Sequence, residues 1–212
     1  RKSEIGYQAA RKAKEIKRDL EAAITSNNAS VAGDDSTARK MGGFRAWLTT
    51  NPVLSTAGSP ANGGYNSGTG VVDAATAGTA QAFTKAKLDT AIKNCWDNGG
   101  EVNLLSVGSF NKQQFDTFMS DSNVAQLRTN VTGNGKNTLV AGVDVYRGGV
   151  GNDLVVKVNR FQPEANAYLV DPEYASVAVL RKMKIERPAK TGDAINYVML
   201  HECTLRIDNE AA

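Results

Sequence analysis

A chain of 212 residues is long enough to bury a substantial core, as one large domain or two small ones. Its 41% apolar and 22% charged side chains are ordinary for a globular protein, and no apolar run approaches the roughly 18 residues of a membrane-spanning helix. The net charge of +3 resides wholly in residues 1–21, where Arg1, Lys2, Arg11, Lys12, Lys14, Lys17 and Arg18 outnumber Glu4, Glu15, Asp19 and Glu21.

The chain opens at Arg1, without an initiator Met or a secretory signal, in what already reads as mid-helix. The expectation is a processed or truncated product whose upstream sequence is missing. Ile5, Ala9, Ala13, Ile16, Leu20 and Ile24 recur at three- and four-residue spacing, the apolar stripe of a helix of about seven turns. Glu15–Arg18 and Arg18–Glu21 are candidate side-chain pairs along it. The helix should stop near Asn27-Asn28. A polar connection leads to Gly42-Gly43 and the apolar cluster Phe44, Trp47 and Leu48. Residues 51–82, rich in Gly, Ser, Thr, Ala and Asn, predict an extended surface loop with few buried side chains, more mobile than the core.

Thr84 predicts the N-cap of a second helix with Leu88, Ile92, Cys95 and Trp96 on one face, ended by Gly99-Gly100. VNLLSV (102–107) predicts a buried strand, and Ser109 the cap of a helix carrying Phe115, Phe118 and Met119. From Thr138 onward the pattern is of strands. TLVAGVDVY and DLVVKVN flank Arg147-Gly-Gly-Val-Gly-Asn152 as a hairpin, followed by AYLVD, ASVAVLR and NYVMLHECTLRID. In the last of these, Tyr197, Met199, His201, Cys203, Leu205 and Ile207 share a largely apolar face, and Val198, Leu200, Glu202, Thr204 and Arg206 an amphipathic one. Lys190-Thr191-Gly192-Asp193 predicts the tip of an antiparallel hairpin with arms at about 177–187 and 196–207, with Gly192 at a positive-φ position.

Little in this pattern supports catalysis. His201, the single histidine, stands on a strand face, where a structural role is the ordinary one, and two residues from Cys203 it is too far along the strand for a dyad. Gly148-Gly149-Val150-Gly151 lacks the lysine and following helix of a phosphate loop, and Asp34-Asp35 lacks the alternating oxygen ligands of a calcium loop. Cys95 and Cys203 form no CxxC or Cys/His cluster and read as small buried hydrophobes, reduced thiols at a cytosolic assembly site. The basic face of the first helix has two readings, a solvated face or a surface turned to a polyanion.

Four blocks in order carry a resemblance: ARKAKEIKRDLEAAI in the opening helix, GGFRAWLTTN (42–51), NRFQP with AYLVDPEYASVAVLR (159–181), and AKTGDA with HECTLRIDNEAA (189–212). Together they resemble the major head proteins of tailed bacteriophages with the Hong Kong 97-like fold. The resemblance implies an α+β capsid fold with residues 1–30 as the spine helix of a peripheral domain, 31–175 as mainly an axial domain, and 176–212 as return strands of the peripheral domain. The N-terminal arm and extended loop that would precede the spine helix are not in this chain. The implied function is a shell subunit that self-assembles, through hexamers and pentamers, into an icosahedral head around double-stranded DNA, with portal and scaffold proteins as partners. Assembly would be in the host cytoplasm, and the place of action the virion. No cofactor, metal, membrane or catalytic residue is expected. An encapsulin-type compartment shell is the alternative in the same fold, and an enzyme a more distant one. Within this reading, Arg11, Lys14 and Arg18 are the candidates to face DNA, and Lys190 and Asp193 the candidates for inter-subunit ion pairing at the hairpin tip.

Overall fold

The computed structural model describes residues 4–118, 129–132, 136–139, 145–190 and 192–212. Met119 and Thr191, named above, lie outside these residues. The first helix, α1, spans Glu4–Thr25. It stops short of Asn27 because Thr25 and Ser26 turn their hydroxyls back onto the carbonyls of Glu21 and Ala23, at 3.0 and 2.7 Å, and so compete with the helical ladder. The side-chain pairing also differs from expectation. Lys12 donates to Glu15 at 2.6 Å, and Glu21 accepts from the Asn159 amide instead of reaching back along the helix.

Gly43 adjoins the end of α1 so closely that a Cβ there would lie 2.2 Å from the Ser26 carbonyl oxygen. Any side chain would push apart α1 and the short α2, Phe44–Trp47. Most of residues 51–82 are exposed, as their composition predicts, but the stretch is not one plain loop. It contains a hairpin, β1 Gly64–Asn66 and β2 Val71–Asp73. Two contacts strap this hairpin to the segment following α1. Ser30 donates its N–H to Val72 O and accepts from Val72 N–H (2.8 and 2.7 Å). Asn27 exchanges two amide hydrogen bonds with Ala75, at 2.6 and 3.0 Å. Val72 and Ala75 are buried. Three-residue strands are too short to show alternation, so composition alone concealed them.

Helix α3, Lys85–Asp97, begins where predicted, with the Thr84 hydroxyl accepting from Lys87 N–H at 3.4 Å, and ends as the Gly100 N–H bonds back to the Cys95 carbonyl with Gly99 at φ +86°. Leu88, Ile92 and Cys95 are buried, but Trp96, at the margin of that face, is 46% exposed. Strand β3, Leu104–Val107, leads into α4, Ser109–Thr117. Ser109 is not its cap but its first residue. The cap comes from a distant segment, where Glu164 accepts from the Ser109 hydroxyl and the Phe110 N–H, both at 2.8 Å.

The predicted strand TLVAGVDVY is divided. Thr138 and Leu139 close β5, Lys136–Leu139, which pairs with β4, Thr129–Thr132. Residues 140–144 lie outside the described ones, and β6 is Val145–Arg147. The glycine hairpin joining β6 to β7, Asp153–Val158, is as predicted, with Gly151 at φ +91° and Arg147 Nε on Asp153 at 2.6 Å. With β8, Ala167–Val170, these form a mixed sheet ordered β6-β7-β3-β8, in which β3 and β7 are parallel. Two long strands follow, β9 Ala175–Glu186 and β10 Val198–Ile207, paired antiparallel as a ribbon. Helices and sheets are both present, as an α+β class requires.

The core has two parts. Leu88, Ile92, Cys95, Val102, Leu105, Val107, Phe115, Leu154 and Val156 pack between α3, α4 and the mixed sheet. Phe44, Tyr168 and Leu205 form the second, with Ile24, Met41, Trp47, Leu48 and Ile207 against them. Strand β8 joins the two, because successive side chains point to opposite faces: Leu169 faces the first cluster, Tyr168 and Val170 the second.

Candidate functional site

No group of three or more metal-ligating side chains occurs among the described residues. Exposed large hydrophobic and charged side chains lie together on α1 and on the ribbon. Both leave the second core, where α1 packs against β10.

In the ribbon Leu205 faces Val177, Cys203 faces Val179 and Met199 faces Ile185, so the predicted apolar face of β10 continues across β9. Its base is buried at Leu205, whereas Val177 and Val179 are 42% and 48% exposed. The opposite face carries Arg181 against Glu202 at 3.3 Å, with Lys184 and Glu186 beyond. His201 lies half-buried on the apolar side, and its Nδ1 is buried without a hydrogen-bond partner among the described residues. Cys203 is half-buried rather than buried, and Cys95 is buried as expected. Burial raises both thiols above their ordinary pKa, which favours their protonated form.

Arg11, Lys14 and Arg18 are all exposed. At 100° per residue they fall together on the side of α1 opposite the Ile5–Ala9–Ala13–Ile16–Leu20 stripe. Arg11 also stacks on Tyr7, with its guanidinium carbon 5.8 Å from the ring centre. At the ribbon tip Gly192 takes φ +77°, as predicted, and Lys190 lies 3.3 Å from Asp193. The two candidates are therefore brought together within one chain. Both remain accessible, with Asp193 fully exposed. Reversing the charge at Lys190 should leave the subunit folded and lower assembly yield, and reversing Asp193 in the same chain should restore part of it. Normal assembly by both single variants, read by sedimentation, would confine the pair to the turn.

Five residues that sequence reasoning did not single out hold these parts in place. Glu210 accepts from the backbone N–H groups of Thr49 and Thr50, at 2.8 and 3.0 Å, and from both of their hydroxyls. Asn51 donates to the Ala211 carbonyl at 2.5 Å. The Thr-Thr-Asn of the second resemblance block thus grips the Asn-Glu-Ala of the last. Tyr168 donates to the Thr25 carbonyl at 3.1 Å, tying the end of α1 to β8. Arg45, 9% exposed, donates to Leu48 O at 3.2 Å, and burial lowers its pKa. Glu164 caps α4 as described. No local signal could have found Glu210, because its partners Thr49 and Thr50 lie about 160 positions away in the chain.

Comparison with curated proteins gives no match. A family model described as SU10 major capsid protein matches residues 1–212, the whole of this chain. The exposed helix and ribbon accord with a family of shell-forming structural proteins. The chain belongs to the SU10 major capsid protein family: it is a phage major capsid protein, a virion component whose copies assemble into the head shell.

Proposed function

We propose that this capsid subunit has the Hong Kong 97-like architecture and encloses double-stranded DNA, with portal and scaffold proteins as partners in assembly through hexamers and pentamers. In this reading α1 is the spine helix, the β9–β10 ribbon belongs with it to the peripheral part, and the mixed sheet with α3 and α4 is the axial part near the five- and six-fold axes. One observation carries it above others. A long helix and a long two-stranded ribbon leave the same small core, and much of each is exposed, with Ile5, Val177, Val179, Leu180 and Ile185 among the exposed large hydrophobic side chains. Sedimentation of the full-length protein, produced with portal and scaffold, tests the assembly. Particles of megadalton size are expected, and a discrete monomer or dimer would end the reading.

The clustering of Arg11, Lys14 and Arg18 away from the apolar stripe supports their facing the genome. Contact would be with phosphates, because nothing on that face reads base edges. Each phosphate contact contributes about 0.9 to the slope of log affinity against log salt. The triple variant R11Q/K14Q/R18Q should therefore release DNA at lower ionic strength with its shell intact. Placement of the three side chains on the outer surface in a particle map would refute this orientation.

A further inference from the structure

We propose that Leu180 is a knob on the ribbon that seats in the cleft between the two cores of a neighbouring copy; the proposal rests on the shell reading above. The pairing register creates the knob. Glu202 faces Arg181 and the next residue, Cys203, faces Val179, which leaves Leu180 with no partner in β10. Such a bulge re-aims the extra side chain. Leu180 is 78% exposed, the highest value for a large hydrophobic among the described residues. A second register shift lies between the pairs Leu200–Lys184 and Glu202–Arg181. No other strand pairs with the outer edge of β9 among the described residues, and two bulges together with Arg181, Lys182 and Lys184 make that edge a poor template for strand addition. A neighbour is therefore met through the protruding side chain rather than through the backbone edge.

The receiving site is a cleft of about 560 Å³ whose lining includes Phe44, Leu48, Phe83 and Leu88, an apolar floor suited to an aliphatic side chain. Glu164, Asp171 and Glu210 also line it, against Arg45 and Lys87, so that carboxylates outnumber cations there by one. The carboxyls of Glu164 and Glu210 are held below the ordinary pKa and so are ionised at neutral pH. For Glu164 the main cause is the Ser109 hydroxyl. For Glu210 burial opposes the shift, and the hydrogen bonds from Thr50 and Thr49 outweigh it. Every one of these donors is neutral, and neither carboxylate has an ion-pair partner among the described residues. Lys182, two residues from the knob, likewise has no ion-pair partner among them and supplies the complementary charge. Knob and cleft are different surfaces of one chain, so the contact is heterologous and propagates from copy to copy, as a closed shell requires.

The test places one cysteine on each side. Ala80 is exposed and lines the cleft. In a Cys203→Ser background, full-length protein carrying A80C and L180C is assembled, treated with a mild thiol oxidant, and run on a non-reducing gel. A ladder of covalent multimers is expected from the double variant and from neither single one. L180D, a change at an exposed position, should cut particle yield at least tenfold while the soluble subunit keeps its circular dichroism. Particles of the double variant that form without cross-links, or L180D particles at normal yield, would overturn the proposal. If the unsubstituted full-length protein forms no particles at all, the shell reading fails and takes the proposal with it, an outcome distinct from particles that assemble without the cross-link.

Discussion

Replacing Tyr168 by alanine is expected to cost about 3–5 kcal/mol of stability and to loosen α1 from the second core. The side chain is 4% exposed, and its ring meets Phe44 edge-on at 5.1 Å between centres. Its hydroxyl donates to the Thr25 carbonyl at 3.1 Å and accepts from the Asn166 amide at 2.9 Å. Tyr168→Phe separates the two contributions. The ring stays, a buried carbonyl and a half-buried amide lose a partner, and the loss should be about 1–3 kcal/mol. Burial pushes the phenol up to about 12. A raised pKa in the folded state means that its stabilisation is whole below the ordinary tyrosine value of about 10 and is lost as pH rises from there through about 12. Denaturant unfolding of the three proteins, with ultraviolet titration of tyrosine, checks both parts. An alanine variant as stable as the parent would show that the end of α1 is held elsewhere.

Removing the Glu210 carboxylate is the second change with a large expected effect, about 2–3 kcal/mol for Glu210→Ala, since charge-assisted bonds to two backbone N–H groups and two hydroxyls go together. Glu210→Gln keeps the shape and one accepting oxygen, so it should lose about half as much. The acid dependence has a definite sign. Burial raises the Glu210 pKa, but the hydrogen bonds from Thr50 and Thr49 prevail and hold it below the ordinary value. Its contribution is therefore complete above about pH 4.3 and falls away as pH drops through the lower folded value. Melting curves should show the parent well above Glu210→Gln at neutral pH, with the gap closing in acid. A gap unchanged by acid would mean that the carboxylate charge is not what the clamp uses.

The elements legible from residue order were those whose cause is local. The 3.6-residue stripe of α1, the Thr84 cap, the glycine ends of α3 and of the β6–β7 turn, and the paired arms of the ribbon each follow from a few neighbouring residues. Each stands within a residue or two of its expected place. The family was legible for a related reason, because each of its blocks is a contiguous stretch of residues, and the family match covers the whole chain. The tertiary structure alone assigned the partners of these elements. Ser109 looked like a cap until Glu164, some 55 positions on, took that place. The Gly-rich stretch at 51–82 gained a hairpin because Asn27 and Ser30 offer it hydrogen bonds. Leu180 looked like one more residue in an alternating strand until the register showed it to be unpaired. Bulges, borrowed caps and the Glu210 clamp all depend on which distant backbone groups come within about 3 Å. That proximity is a property of the packed whole, and the composition of a window, with its 3.6- or 2-residue period, carries no record of it.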